Sequence, residues 1–198
     1  MSESSIKRFK AVVGYDGTHY AGWQVQPGKT TVQGEIEHAL YKLTAKHIRI
    51  HCSGRTDRGV HARGQVVHFD GPGSFRPEKL LLGINRFLDG DIRITRMTVA
   101  SPSFDARMSA TGKEYRYFIW NDRLMPPHLR LYNTHVYRPL NHKLMQDAAK
   151  RLEGRHDFAA FSANPGHERE GTVRTITSLK VMKRGPELAL VAAGEGFR

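Results

Sequence analysis

The chain has 198 residues, of which 39% are hydrophobic and 25% charged, with a formal net charge of +12. That composition suits a soluble globular protein of one large domain or two small ones, and no apolar run approaches the length of a membrane-spanning helix. The lone cysteine, Cys52, excludes an intrachain disulfide and fits a reducing cytoplasm, and Met1 to Lys10 carries no apolar signal core.

Residues 9–15 (Phe9 to Tyr15) read as a strand. Residues 31–45 read as a helix with Val32, Ile36, Ala39, Leu40 and Leu43 on one face, and Thr30 with Gln33 fits a capping box at its start. Strands follow at 48–53 and 64–69. Pro77 suits the first turn of a second helix, with Leu80, Leu81, Ile84 and Phe87 inward. Ile92, Ile94 and Met97 mark the next strand. The order is β-α-β-β-α-β, a ferredoxin-like unit.

The pattern then starts again. Residues 114–120 read as a strand, and Tyr132 to Tyr137 as a second extended piece. A helix is expected over 142–153, with Asn141 as N-cap, Gly154 at its end, and Leu144, Ala148 and Leu152 inward. Strands at 174–183 and 187–193 flank the turn Gly185-Pro186. The expected class is α+β: two ferredoxin-like units with antiparallel sheets and helices on one face, over residues 1–105 and 106–198. On this reading the second unit stops short of its last helix and strand, leaving an unpaired edge and an uncovered face.

Positive charge is spread over both halves. Residues 1–112 carry 16 Lys and Arg against 10 Asp and Glu, and residues 113–198 carry 15 against 9. A globular protein this basic, with 7 Tyr and 9 Phe, fits a polyanion partner. Charge does not distinguish RNA from DNA.

Between the strands at 48–53 and 64–69 lies Gly54-Arg55-Thr56-Asp57-Arg58-Gly59-Val60-His61-Ala62. Two glycines bracket one carboxylate that is offered between two guanidinium groups. Loops held by rigid strands are where catalytic residues concentrate. A neighbouring Arg favours the ionised form of an Asp, and an ionised, fixed carboxylate can serve as nucleophile or base. Taken alone, the same string reads first as a polar turn with a surface ion pair.

The nonamer resembles the signature of the TruA-type tRNA pseudouridine synthases, with Arg58 in place of the usual small residue. Other segments match in order: Gly14-Tyr15-Asp16-Gly17-Thr18, Gly22-Trp23-Gln24, Thr31-Val32-Gln33-Gly34 and Gly64-Gln65-Val66-Val67-His68-Phe69. Further on come Phe104-Asp105-Ala106-Arg107, Lys113-Glu114-Tyr115-Arg116-Tyr117, Asp157-Phe158 and Arg174-Thr175-Ile176. The resemblance covers nearly the whole chain. It implies an isomerase that converts uridine to pseudouridine at positions thirty-eight to forty of the tRNA anticodon stem-loop. It also implies a cytoplasmic homodimer with a basic cleft. That reaction oxidises nothing and adds no group, so it requires neither cofactor nor metal. Its target nucleotide must be flipped out of a stacked helix.

The same resemblance implies roles. Asp57 is the catalytic carboxylate, attacking the sugar or removing a ribose proton. Arg55 pairs with Asp57 and fills the gap left by the flipped base, which its flat guanidinium suits. Tyr115 stacks on uracil and helps remove the C5 proton; read without the motif, it is a strand aromatic in a core. Tyr117 shares its face. Arg58, Arg107 and Arg174 are candidate substrate contacts, with surface ion pairing the equal alternative for the last two.

Two other readings remain. One is a non-catalytic RNA-binding protein of the same fold, inactive for want of the missing C-terminal part. The other is a metal-dependent phosphodiesterase using Asp57 and His61. His51, Cys52, His61 and His68 crowd the loop but lack zinc-ligand spacing. His167-Glu168-Arg169-Glu170 is not a zincin motif, and no phosphate-binding glycine loop occurs.

Overall fold

A computed structural model of the protein describes residues 6–161 and 171–195, so the 167–170 segment lies outside the described residues. The chain splits into two compact units at Ala110/Thr111.

The first unit runs β1 (Ile6–Tyr15), α1 (Val32–Thr44), β2 (His51–Cys52), β3 (Ala62–Pro72), α2 (Pro77–Phe87) and β4 (Ile92–Val99). Its sheet has the order β2-β3-β1-β4, and every neighbouring pair is antiparallel. Alternation along β1 sends Phe9, Ala11, Val13 and Tyr15 to one face, where β3 adds Val67 and Phe69. β4 contributes Ile92, Ile94 and Met97, and the two helices cover this face with Val32, Ile36, Ala39, Leu40, Leu80 and Ile84. The result is a single core and the expected β-α-β-β-α-β topology.

Three local details differ from the sequence reading. The cap of α1 is Thr31, not Thr30; the Thr31 hydroxyl accepts from the Gly34 N–H. Gln33 does not reach back to a cap. It is buried, donating to the Ile50 carbonyl and Glu37 and accepting from the Val25 N–H. β2 is only two residues long; just before it, the backbone N–H and carbonyl of Ile50 are tied to Glu37 and Gln33 of α1 rather than to a strand. Phe87 is 42% exposed, whereas Leu88 is buried; α2 ends at Phe87, and the extended backbone at Leu88 turns the next side chain inward.

The second unit runs β5 (Lys113–Trp120), β6 (Thr134–His135), α3 (His142–Leu152), β7 (Gly154–Asp157), β8 (Val173–Arg184) and β9 (Glu187–Glu195). The sheet order is β6-β5-β9-β8-β7. Its β8-β9-β5 stretch repeats the β2-β3-β1 stretch of the first unit. β6 pairs with β5 in parallel, so this sheet is mixed rather than purely antiparallel. Of the extended piece expected over 132–137, only Thr134–His135 is paired strand. Gly185, at φ 59°, closes the β8–β9 hairpin. The four-residue β7, paired with β8, is an element that the sequence reading did not contain.

Asn141 caps α3 as expected, accepting from the Leu144 N–H at 3.1 Å. The buried stripe of α3 is a different one. Leu144 is 65% exposed and Ala148 is exposed, while Ala149 and Met145 pack with Ile119, Val181 and Leu188. The phase is set at the helix start, where the His142 ring bonds the Val181 carbonyl at 2.9 Å and turns positions 142, 145, 149 and 152 toward the sheet.

Candidate active site

The loop Gly54–Ala62 joins β2 to β3, so an antiparallel ladder fixes both of its ends. At its root the Ser53 N–H donates to the Val66 carbonyl at 2.8 Å, and the Ser53 hydroxyl donates to Gln65 at 2.7 Å. The Gln65 amide also donates to the Gly54 carbonyl, and this Gln side chain is buried. Its midpoint is held by β1 and the segment after it. The Tyr15 hydroxyl lies 2.8 Å from the Thr56 hydroxyl, and the Trp23 N–H donates to the Thr56 carbonyl at 3.0 Å. Tyr15 and Trp23 are themselves buried, with ring centroids 5.8 Å apart. Thr56 is therefore anchored to the core through both its side chain and its backbone.

Asp57 follows at once, exposed, at the head of a turn in which the Val60 N–H donates to the Asp57 carbonyl at 3.2 Å. Gly59 takes φ 77° in that turn, a conformation that costs glycine nothing. Two further glycines let neighbouring backbone approach. A Cβ on Gly17 would meet the Val60 carbonyl oxygen at 2.0 Å, and one on Gly22 would meet the Thr56 carbonyl oxygen at 2.8 Å. His61 closes the loop: its Nδ1 lies 3.2 Å from the Gly17 N–H and 3.0 Å from an Asp16 carboxylate oxygen.

The carboxylate and both arginines of the loop, Arg55 and Arg58, are exposed. Among the described residues neither arginine lies within ion-pair distance of Asp57. The expected Arg55–Asp57 pair is thus not formed in this structure; the loop is held by its backbone and by Thr56 instead. Its three charged side chains face solvent.

Arg107 belongs to the end of the first unit. Asp105 accepts from the Arg107 and Met108 N–H groups at 2.8 and 2.9 Å, and these bonds, that of Met108 first, hold its carboxyl below the usual range. The same stretch is tied to β3, where His68 Nδ1 accepts from the Ala106 N–H at 3.0 Å. His68 is 4% exposed, and burial pushes its imidazole below the ordinary histidine range. His51 stacks on it with ring centroids 5.0 Å apart, while Cys52 alternates to the other side of β2. The arginine side chain itself is exposed.

Tyr115 and Arg174 belong to the second unit. Tyr115 lies on β5 opposite Ala192 of β9, on the same face as Tyr117; the two rings are 47% and 55% exposed. Tyr115 is therefore not the core aromatic that strand position alone allows. Arg174 opens β8 and turns back on its own segment, donating to the Val173 carbonyl at 2.8 Å and to the Gly171 carbonyl. β9 separates the strands that carry these two residues.

Sequence reasoning assigned no task to Tyr15, Trp23, Thr56, Gln65 or Asp16, and considered His61 only as a metal ligand. The motif segments that contain them were visible. Their work as supports was not, because it consists of bonds between residues as far apart as Tyr15 and Thr56.

The family model described as tRNA pseudouridine synthase matches residues 11–107 and 148–198. The tRNA pseudouridine synthase A of Brevibacillus brevis is 43% identical over 192 residues, covering 97% of this chain and 78% of that protein. Its counterpart from Pelobacter propionicus is 42% identical over the same shares of the two chains. That of Halalkalibacterium halodurans is 42% identical, over 97% of this chain and 73% of its own. With the loop and its supports inside the matched region, this chain belongs to the tRNA pseudouridine synthase family.

Proposed function

We propose that the protein isomerises uridine to pseudouridine in tRNA, at positions thirty-eight to forty of the anticodon stem-loop. The observation that carries the reading is Asp57. It is a lone exposed carboxylate, on a loop whose neighbouring residue Thr56 is anchored to the core by Tyr15 and Trp23. A carboxylate positioned this way is preorganised to meet a flipped-out nucleotide.

The reaction breaks the bond between uracil N1 and ribose C1′, turns the base, and joins C5 to C1′. The C5 proton is then lost and N1 regains one, so atoms balance without a co-reactant. Asp57 starts this from the ribose side, either as nucleophile at C1′ or as base toward a ribose proton. Arg55 and Arg58 flank it and supply positive charge for the phosphates beside the target. In the same proposal Arg55 also occupies the place of the flipped base, Tyr115 stacks on the detached uracil and assists proton loss at C5, and Arg107 and Arg174 contact the RNA. Assembly as a homodimer in the cytoplasm completes it; the names of the relatives and the +12 charge support a tRNA partner.

The test is Asp57→Asn, with tRNA binding and uridine conversion measured side by side. Conversion is expected to vanish while binding persists, because removing a negative charge does not weaken attraction to phosphate. Normal turnover by Asp57→Asn would sink the assignment. Retained binding by a parent protein that converts no uridine would favour the non-catalytic RNA-binding alternative.

A further inference from the structure

The turn that carries Asp57 is held on its N-terminal side through Thr56. Its C-terminal side has a support of another kind. His61 directly follows Val60, whose N–H closes the turn on the Asp57 carbonyl at 3.2 Å. The His61 Nδ1 accepts from the Gly17 N–H at 3.2 Å and lies 3.0 Å from Asp16 Oδ1. Gly17 is buried, and a buried N–H left without an acceptor is destabilising, so this bond serves the backbone as well as the ring.

The seat that receives His61 is itself fixed. The Asp16 N–H donates to the Asp91 carbonyl at 2.8 Å, and Asp16 Oδ1 accepts from the Thr18 N–H at 3.0 Å and from the Thr18 hydroxyl at 2.5 Å. The Tyr20 N–H donates to the Gly17 carbonyl at 3.1 Å, and the hydroxyl of the buried Tyr20 donates to the Asp91 carboxylate at 2.8 Å. On this corner Gly17 packs against Val60 so closely that a Cβ has no room. The His61 ring ties the two backbones together where they touch. The tie holds in either charge state of the ring: a bare Nδ1 accepts from Gly17, and a protonated one donates to Asp16.

We infer that His61, seated on Asp16 and Gly17, is a positioning residue that fixes the Val60 side of the turn and with it the place of Asp57. This rests on the catalytic carboxylate proposed above. Thr56 anchors the backbone before Asp57, and His61 anchors it after the turn. With one anchor gone, the turn pivots about the other, and Asp57 sits between them. The ring acts through Nδ1 on the protein's own backbone, not on the substrate. A polar group of another kind placed at the Nδ1 position therefore serves equally. That separates this role from proton transfer or metal ligation by His61, both of which require the imidazole.

The experiment compares His61→Ala, His61→Asn and His61→Gln with the parent, by single-turnover conversion of tRNA uridine and by tRNA binding. The Asn amide lies where Nδ1 lies and can accept or donate, whereas the Gln amide lies nearer the Nε2 position. His61→Ala is expected to lose on the order of 10- to 100-fold in rate, with binding within about twofold of the parent. His61→Asn is expected to stay within about threefold of the parental rate, and His61→Gln to fall with His61→Ala. Amide hydrogen exchange at Gly17 and Val60, read by NMR, is expected to quicken in His61→Ala and to recover in His61→Asn. A parental rate in His61→Ala would overturn the inference. So would a His61→Asn protein as slow as His61→Ala, restoration by His61→Gln alone, or unchanged exchange in His61→Ala. A parent that converts no uridine would refute the proposed activity, and the exchange measurement would then decide by itself whether His61 holds the turn.

Discussion

Gly17→Ala tests whether the catalytic loop is positioned by backbone that is packed against it. A Cβ at Gly17 would sit 2.0 Å from the Val60 carbonyl oxygen, 2.6 Å from its carbon and 3.1 Å from the Val60 nitrogen. Ordinary contact begins at 3.4 Å, so the oxygen must retreat by 3.4 − 2.0, or about 1.4 Å. No flexible side chain can absorb this, since all three atoms are backbone. The Val60 N–H is bonded to the Asp57 carbonyl, so the turn moves as a piece and takes Asp57 with it. A displacement near 1 Å in a catalytic group costs on the order of 100-fold in rate. The core of the unit does not include this contact, so the loss of stability stays at about 1–3 kcal/mol. The assay is single-turnover conversion of tRNA uridine at saturating enzyme, with tRNA binding and thermal unfolding alongside. Gly28→Ala is the control: Gly28, unlike Gly17, has a positive φ, 69°, but a Cβ there meets nothing within 4 Å. It is expected to cost about 1–2 kcal/mol of backbone strain and leave the rate unchanged. A parental rate in Gly17→Ala would refute the idea that this close approach sets the position of Asp57.

Tyr115→Phe is expected to bind tRNA normally but convert it more slowly, while Tyr115→Leu also loses a stacking contact worth roughly 1–3 kcal/mol; equal rates for Tyr115→Phe and the parent would remove the hydroxyl from the mechanism. Because His68 has a folded-state pKa below its unfolded value, the unfolded chain binds more protons, so its contribution to stability is full above about pH 6.5 and is lost as pH falls through the folded value. His68→Asn keeps an acceptor for the Ala106 N–H without titrating, and is expected to flatten that dependence in unfolding measured from neutral pH down to pH about 5; an unaltered slope would exclude His68 as its source. The observed phase of α3 predicts that Leu144→Ala changes stability by no more than about 0.5 kcal/mol, while Met145→Ala costs about 2 kcal/mol or more, as chemical denaturation would show.

What the sequence made legible was mostly local. The apolar alternation of Phe9, Ala11, Val13 and Tyr15, and the helical spacing of Val32, Ile36, Ala39 and Leu40, each report burial on one face, and all eight side chains are buried. The errors fall where a neighbour from elsewhere in the chain overrides a local preference. Leu144 is as apolar as Met145, but a bond from His142 to Val181 on a distant strand settles which of them turns inward. Gln33 reads as half of a capping box, yet a bond to the Ile50 carbonyl, 17 residues on, draws it into the interior. Phe87 continues an apolar stripe that the end of α2 breaks.

The same division runs through the active loop. Asp57 is legible because its chemistry resides in one side chain and its setting in eight neighbours along the chain. Whether that carboxylate is held in place is decided by Tyr15 reaching 41 residues to Thr56, by Trp23 bonding the same residue, and by glycines at 17 and 22 that admit their neighbours' carbonyls. None of those residues carries a charge at neutral pH, and Trp23 and the glycines act through their backbone, so reasoning from reactive groups passes over them. Arg55 shows the converse. Proximity in sequence suggests an ion pair with Asp57, but residues two apart on an exposed loop need no common direction, and here both side chains face solvent. An exposed pair would in any case contribute little. Positioning of Asp57 therefore rests on the contacts of Thr56 with Tyr15 and Trp23 and on close backbone packing, not on an ion pair with the loop arginines.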